Sequence, residues 1–494
     1  MKPSPMTLAM NRAAMSWQPA PMQAPTARPL RLLAVLVGTA VLSGCASFSP
    51  DGGFSVVEKT TRDRLGKDVH MQWARSDADQ DSIAQRVGEL LSRPLTVDDA
   101  VQVALLNNRG LQATFQELGI SEAEVVQAGR LPNPGFGFGR SSRGDEREIE
   151  RGLHFNLARL IALPYIGQMQ ARRFEQTQAM VAMSVLALAA DTRKAYYGAL
   201  AAEETVRYMR QVQRAADASA ELARRMEQVG NFNKLQRARE QVFYADASLN
   251  VARAEQVQRN TRERLIRLLG TWGAQTQFAL PDRLPDLPKD VTALPDIERV
   301  ALAQRLDVQG AKLATEQTAR NLGLTKTTRF INVLEFGVLR NSSNDAPTQR
   351  GWEISLELPL FDWGGARVAR AEAIYMQTVH RAAETAINAR SEVREAYAGY
   401  RAAFDIARHH FEEIVPLRQR IAEENLLRYN GMLIGVFELL ADARAQIAGV
   451  NNAIESLRDF WIAQADLDMA LIGKPSLAIP GGPAIAAEPG GAAH

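Results

Sequence analysis

Apolar positions along the chain follow two periods. From Tyr165 to Leu280 there is no proline, and the run is rich in Ala, Glu, Gln and Arg, which favour helix. Two columns spaced seven residues apart run through it. One is Val185, Thr192, Ala199, Val206, Gln213 and Ala220; the other is Leu188, Ala195, Ala202, Met209, Ala216 and Ala223. They make a heptad seam of mostly small residues, which lets a second helix approach closely in a coiled coil. A helix from Tyr165 to Val229 would be roughly 100 Å long at about 1.5 Å per residue; two shorter helices joined at a bend are the plainer alternative, and the missing proline argues against them. In GWEISLELP (351–359), Trp352, Ile354, Leu356 and Leu358 alternate with Glu353, Ser355 and Glu357. That predicts a strand with one apolar and one acidic face, ended by Pro359 and Gly364-Gly365.

The same alternation marks three more strands. GFGFGRSS (135–142) and IERGLHFNLARL (149–160) flank the turn-like RGDERE, while INVLEFGVLR (331–340) and the strand at 351–359 flank NSSNDAPTQR. About nine residues are enough for a tilted strand to cross a hydrocarbon layer. Trp352, Phe361 and Trp363 would then stand at its two interfaces, with Glu353 and Glu357 facing water inside a barrel. A soluble sheet packed on one side would alternate in the same way. Four strands cannot close a barrel: single chains begin at about 8, and an open edge in lipid leaves backbone groups unpaired. A membrane reading therefore requires several copies, and strand arithmetic alone does not choose three over two.

The chain is written twice. Val103-Ala104-Leu105 recurs as Val300-Ala301-Leu302, Gln112 as Gln309 and Gly167 as Gly364, at one offset (364 − 167 = 197). RKAYYG (193–198) recurs as REAYAG (394–399) and Gly230 as Gly431, at another (431 − 230 = 201). The change fits about one helical turn added in the second half. A proline-rich connector, 280–296, separates the halves, and the tail after Lys474 is of low complexity. The division is 1–44 signal peptide, 45–94 lipid-anchored N-terminal segment, 95–279 first repeat, 280–296 connector, 297–474 second repeat and 475–494 a tail expected to be disordered.

Composition excludes more than it assigns. With 46% apolar and 23% charged residues the chain is an ordered one, and a net charge of +2 gives no reason to expect a nucleic-acid partner. Six histidines are scattered, and the one adjacent pair, His409-His410, cannot share a metal on one helix face. Neither a phosphate loop nor a nucleophile elbow occurs, so no catalytic, cofactor or metal site is expected and the chain does not read as an enzyme. The single cysteine, Cys45, follows Arg28, Arg31 and the apolar run LLAVLVGTAVL (32–42), the layout of a secretory signal. LSGC (42–45) resembles the lipobox of bacterial lipoproteins, which implies cleavage before Cys45 and acylation of it. Ala46 in place of Asp, by resemblance to Gram-negative sorting rules, implies delivery to the outer membrane.

From about Leu95 to Gly473 the chain resembles the TolC-type outer-membrane factors of tripartite efflux pumps, and more closely their lipoprotein branch. The resemblance rests on the duplicated plan and on GRLPNPGF (129–136), LPLFDWGG (358–365) and RYNGMLIGVFELLADAR (428–444). It implies a mainly α fold with a small β part: long coiled-coil helical hairpins plus two β-hairpins in each chain, three chains forming a helical barrel under a 12-stranded transmembrane β-barrel. It implies a homotrimer that docks with a periplasmic adaptor and an inner-membrane transporter, and passive export through the duct. Val229, Gly230 and Gly431 would lie at the docking tips, where a structural turn would place the same glycines. Glu438 matches an acidic position at the pore aperture. Asp442 is one residue off the family's second acid, which is Ala441 here, so a solvated helix face is the competing reading for it.

One departure is that TRFINVLEF (328–336) lacks the prolines of RLPNP. The 14 methionines are dispersed, with no tract suited to copper or silver, and metal ions and drugs both stand as substrates. A periplasmic adaptor, or a structural coiled-coil lipoprotein, is the rival; an adaptor would carry one hairpin rather than two, and a structural lipoprotein would not need two-faced strands. Cys45→Ser is expected to abolish acylation while leaving assembly possible. Intact-mass analysis of the mature wild-type chain checks this, and a mass without acyl chains rules out the anchor.

Overall fold

The computed structural model describes residues 47–475 apart from 67–68, 292 and 330–332. The signal peptide, Cys45 and the tail from 476 onward lie outside the described residues. Within the segment before the first repeat, α1 (Phe54–Leu65) packs on the long helix that follows, and α2 (Asp77–Leu91) starts from a reciprocal Ser76–Asp79 capping box. The first repeat contains α3 (Val97–Asn107), α4 (Arg109–Ala128), β1 (Gly135–Arg143), β2 (Glu146–Asn156), α5 (Leu157–Gln228) and α6 (Lys234–Leu269). The second contains α7 (Ile297–Gln304), α8 (Leu306–Thr328), β3 (Leu334–Ser343), β4 (Gln349–Leu356), α9 (Gly365–His409), a π turn (His410–Ile414), α10 (Val415–Asn430) and α11 (Val436–Ile472).

α5 is one helix of 72 residues, roughly 110 Å long at about 1.5 Å per residue. It begins earlier than the sequence suggests. Asn156 caps it by accepting the Arg159 amide at 2.8 Å, and the helix runs through Pro164, so residues 157–160, expected as strand, are helical. Both heptad columns point inward, with Val185, Thr192, Ala195, Ala199, Ala202, Val206, Ala216 and Ala223 buried. α6 returns along it from an Asn233–Gln236 capping box. Small residues set the spacing, since Ala216 and Ala247 meet in the seam, and Ser219 donates to the buried Glu240 carboxylate at 2.9 Å.

The four strands form one antiparallel sheet in chain order, so β2 and β3 join the two repeats. Strand ends shift from the predicted ones for one reason: the hydrogen-bond ladder continues where apolar alternation stops. β1 and β2 turn over Gly144-Asp145 alone rather than over six residues, β3 runs on to Ser343, and β4 opens at Gln349 and ends at Leu356. Glu357 and Leu358 therefore lie beyond the strand, although the Glu357 amide still bonds to the Val333 carbonyl at 3.3 Å.

The main core lies at the middle of the molecule. There α3, α5 and α6 bury Val103, Leu106, Leu200, Leu265 and Leu269 against Phe278, Leu280 and Leu284. The connector is thus a packed strap. Tyr196 donates to the Leu95 carbonyl at 2.9 Å, and the Trp461 indole to that of Pro285 at 3.1 Å. In the second repeat, Arg305 is 1% exposed and holds Asp307 and Glu392, each at 2.7 Å. Burial lowers its pKa, but the two carboxylates outweigh that and hold the guanidinium above its ordinary value.

Arg305→Ala leaves the Asp307 and Glu392 carboxylates without their shared cation. Both keep an edge toward water, so a loss on the order of 3 kcal/mol is expected, the low end for a broken buried pair. Thermal unfolding of the detergent-extracted protein checks this, and an unchanged midpoint contradicts it.

Candidate functional site

Strand register assigns every residue of the sheet to one of two faces. Gly135, His154, Gly337 and Glu353 stand side by side on one rung. Because side chains alternate along a strand, that face also carries Glu146, Glu148, Glu150 and Glu335 with Gly137, Gly139, Gly152 and Gly351. The opposite face carries Phe136, Phe138, Leu153, Phe155, Phe336, Val338, Trp352, Ile354 and Leu356. It leaves Phe136, Phe138, Trp352 and Ile354 largely exposed, and below it Leu358, Leu360, Phe361 and Trp363 continue the apolar surface.

All five acids of the strands lie on the first face. The sequence analysis singled out Glu353 and Glu357. Glu146 and Glu148 were missed because the turn-like composition of RGDERE hid the start of the strand, and Glu150 and Glu335, within predicted strands, because each stands as a lone acid there. On this face His154 Nδ1 lies 3.2 Å from Glu353 Oε1 across Gly337. A Cβ on Gly337 would come within 2.7 Å of Glu353 Cγ and 3.1 Å of His154 Nδ1, so a side chain there would push the Glu353–His154 pair apart.

The helical hairpins end in two tips of the same design. At the first, the Val229, Gly230 and Asn231 amides bond to the Arg225, Glu227 and Met226 carbonyls; at the second, those of Gly431, Met432 and Leu433 bond to Leu427, Tyr429 and Arg428. These three bonds repeat at an offset of 202 (432 − 230), while the Phe232 amide bond to the Met226 carbonyl belongs to the first tip. Gly230 and Met432 hold the left-handed position, with φ of 81° and 60°, and Gly431 is an ordinary residue at φ −79°. Conformation thus pairs Gly230 with Met432, not with Gly431. The extra residue enters at the π turn, where the Val415 amide reaches back five residues to the His410 carbonyl. Val229, Met432 and Leu433 are 71%, 93% and 78% exposed, so the tips offer apolar side chains to solvent.

Glu438 is exposed in the first turn of α11, with its amide bonded to the Gly435 carbonyl at 3.2 Å. Asp442, one turn further on, is half-buried and accepts a hydrogen bond from the Asn425 amide of α10. Among the described residues no helix is long and apolar enough to cross a membrane. Nor do three His, Cys, Asp or Glu side chains there converge as metal ligands would.

No protein-family model matches the chain, and no curated protein does. Solved structures do match. The *Campylobacter jejuni* CmeC outer membrane channel aligns at 16% identity and a TM-score of 0.64, over 76% of this chain and 85% of that one. The *Neisseria gonorrhoeae* MtrE outer membrane channel aligns at 18% and 0.64, over 76% and 89%. The *Vibrio cholerae* outer membrane protein VceC aligns at 13% and 0.64, over 76% and 96%. The chain has the fold of the outer-membrane channels.

Met432 pays for its left-handed backbone about 1–2 kcal/mol, as a non-glycine residue does. Met432→Gly is therefore expected to raise the unfolding midpoint of the detergent-extracted protein, and Gly230→Val to lower it. Equal midpoints for both variants contradict equivalent tips.

Proposed function

We propose that the chain is one protomer of a homotrimeric exit duct in the outer membrane of a Gram-negative bacterium, anchored by lipid on Cys45. It passes small substrates, drugs or metal ions, outward after docking with a periplasmic adaptor and an inner-membrane transporter. The observation that carries this reading is the sheet. One face is apolar over the rungs nearest the helices, the other carries all its acids; the sheet leads directly into α5 and has unpaired outer edges at β1 and β4. In lipid those edges must be satisfied by other strands, and three copies of four strands make a closed barrel of 12.

The helices support the same closure. Laterally α6 packs on α5, α5 on α11, and α11 on α9 and α10. The two flanks carry exposed apolar stripes: Leu235, Val242 and Leu249 on α6, and Ile406, Leu417 and Ile421 on α9 and α10. Leu235, Val242 and Leu249 repeat every seven residues, the spacing that packs against a partner helix. In the trimer each α6 flank meets the neighbour's α9–α10 flank.

The duct is passive and not an enzyme. Val229, Gly230 and Gly431 form the adaptor-facing tips with Met432 and Leu433. Glu438 is assigned to the aperture, three carboxylates around a threefold axis, where like charges are held together by water or cations. Asp442 stands beside it as a latch, tying α11 to Asn425 of α10. Glu353, with Glu146, Glu148, Glu150 and Glu335, faces the barrel lumen, and Glu357 lies just below it.

Light scattering of the detergent-extracted native particle, corrected for bound detergent, tests the assembly. Three chains are expected, and a monodisperse monomer would overturn the duct. Glu438→Ala is expected to raise single-channel conductance in planar bilayers and to weaken cation preference. Conductance and selectivity equal to wild type would remove Glu438 from the aperture.

A further inference from the structure

The acids of the strands share one face of the sheet, and five of the six strand arginines share the other. Arg151, Arg340 and Arg350 occupy consecutive positions of a single rung across β2, β3 and β4, with Arg140 and Arg147 one and two rungs nearer the hairpin turns. Arg140, Arg147, Arg340 and Arg350 are exposed and Arg151 half-exposed. Among the described residues no carboxylate pairs with any of the five, since register puts Glu146, Glu148, Glu150, Glu335 and Glu353 through the sheet on the far side.

Like charges directly opposite one another on neighbouring strands, about 4.8 Å apart, are destabilising. Three in a row call for an anion. Their position says which kind. The next rung toward the helices is Phe136, Leu153, Val338 and Trp352, followed by Phe155, Phe336 and Ile354, then Leu334 and Leu356. The arginines therefore begin where the apolar surface gives way, with Phe138 completing their rung on β1 and Ile149 one rung beyond, and with a tryptophan at the junction, the level at which an indole meets lipid headgroups.

We propose that this arginine rung is a docking site for the phosphate groups of anionic, phosphate-bearing lipid in the outer leaflet. The inference rests on the exit-duct reading, which makes the apolar face the lipid-facing one. Guanidinium forks grip phosphate oxygens in pairs, and neighbouring protomers would repeat the rung around the barrel. A bound ring of lipid would neutralise the row and hold the barrel at a set depth.

The test uses the full-length protein in an uncharged detergent, titrated with bisphosphorylated lipid A, with the same glycolipid freed of phosphate, and with inorganic phosphate. Thermal unfolding is read for wild type, for Arg151→Gln/Arg340→Gln/Arg350→Gln and for Arg350→Gln alone. Particle mass and bilayer conductance are measured on the same samples. The expected result is that lipid A raises the wild-type midpoint well beyond the other two additives. The triple variant should lose at least half of that shift, and Arg350→Gln, which keeps two arginines should the triple variant fail to fold, a smaller part. Equal shifts with the dephosphorylated lipid, or in wild type and Arg350→Gln, overturn the site. Equal stabilisation by inorganic phosphate overturns lipid docking in favour of a free-anion site. Any of these in a conducting trimer leaves the duct standing, whereas a wild type that neither trimerises nor conducts overturns the duct and this inference with it.

Discussion

Backbone pairing is the constraint on which the rest of the structure depends. A sheet of four strands has two edges, and each edge presents a row of amides and carbonyls that water can satisfy and hydrocarbon cannot. Here one face of the same sheet is apolar over the rungs nearest the helices, around Phe136, Leu153, Val338 and Trp352. In the proposed duct the apolar face meets lipid while open edges forbid it, and strands from other chains remove the conflict. The lateral stripes on α6 and on α9–α10 are the helical counterpart of the same incompleteness. Leu235, Val242 and Leu249 are placed as a coiled-coil seam would place them, with no helix of this chain covering them.

Duplication supplies two hairpins of similar length, and the π turn keeps them in step. Before it the repeats match at 201, through RKAYYG and REAYAG; beyond it the tip hydrogen bonds match at 202. One inserted residue in a straight helix would turn everything beyond it by about 100°. Absorbed as a π turn at His410–Ile414, next to Pro416 with its missing amide, it leaves the second tip with three of the turn bonds of the first. The tips then differ in what they present rather than in how they turn, with glycine at the left-handed position in one and methionine in the other.

Charge is sorted by the same register. Acids stand with glycines on one face, and the His154–Glu353 pair spans a gap that Gly337 leaves open. Arginines stand above the apolar rungs on the other face. A slip of one residue in any strand would exchange the two sets, so a single choice of pairing decides at once which surface is greasy, which acidic and which basic.

Periodicity by itself determined the long helix, the heptad seam, the four strands, the duplication and the two-faced character of 351–358, because each is a local repeat of 3.5, 3.6 or 2 residues written in side-chain polarity. The motifs carried the resemblance to an outer-membrane duct and, as what that resemblance implies, the roles proposed for Glu438 and the tips. Strand ends, the start of α5 before Pro164, the pairing of Gly230 with Met432 and the shared rungs of glutamates and arginines were decided only by the tertiary structure. The physical reason is that strand ends and shared rungs depend on pairing between separate segments, as between Arg151 and Arg340, while the start of α5 and the left-handed position of each tip rest on cap and turn hydrogen bonds that side-chain polarity does not record. Hydrophobic period records which way one strand faces, but not which neighbour it lies beside or at what register.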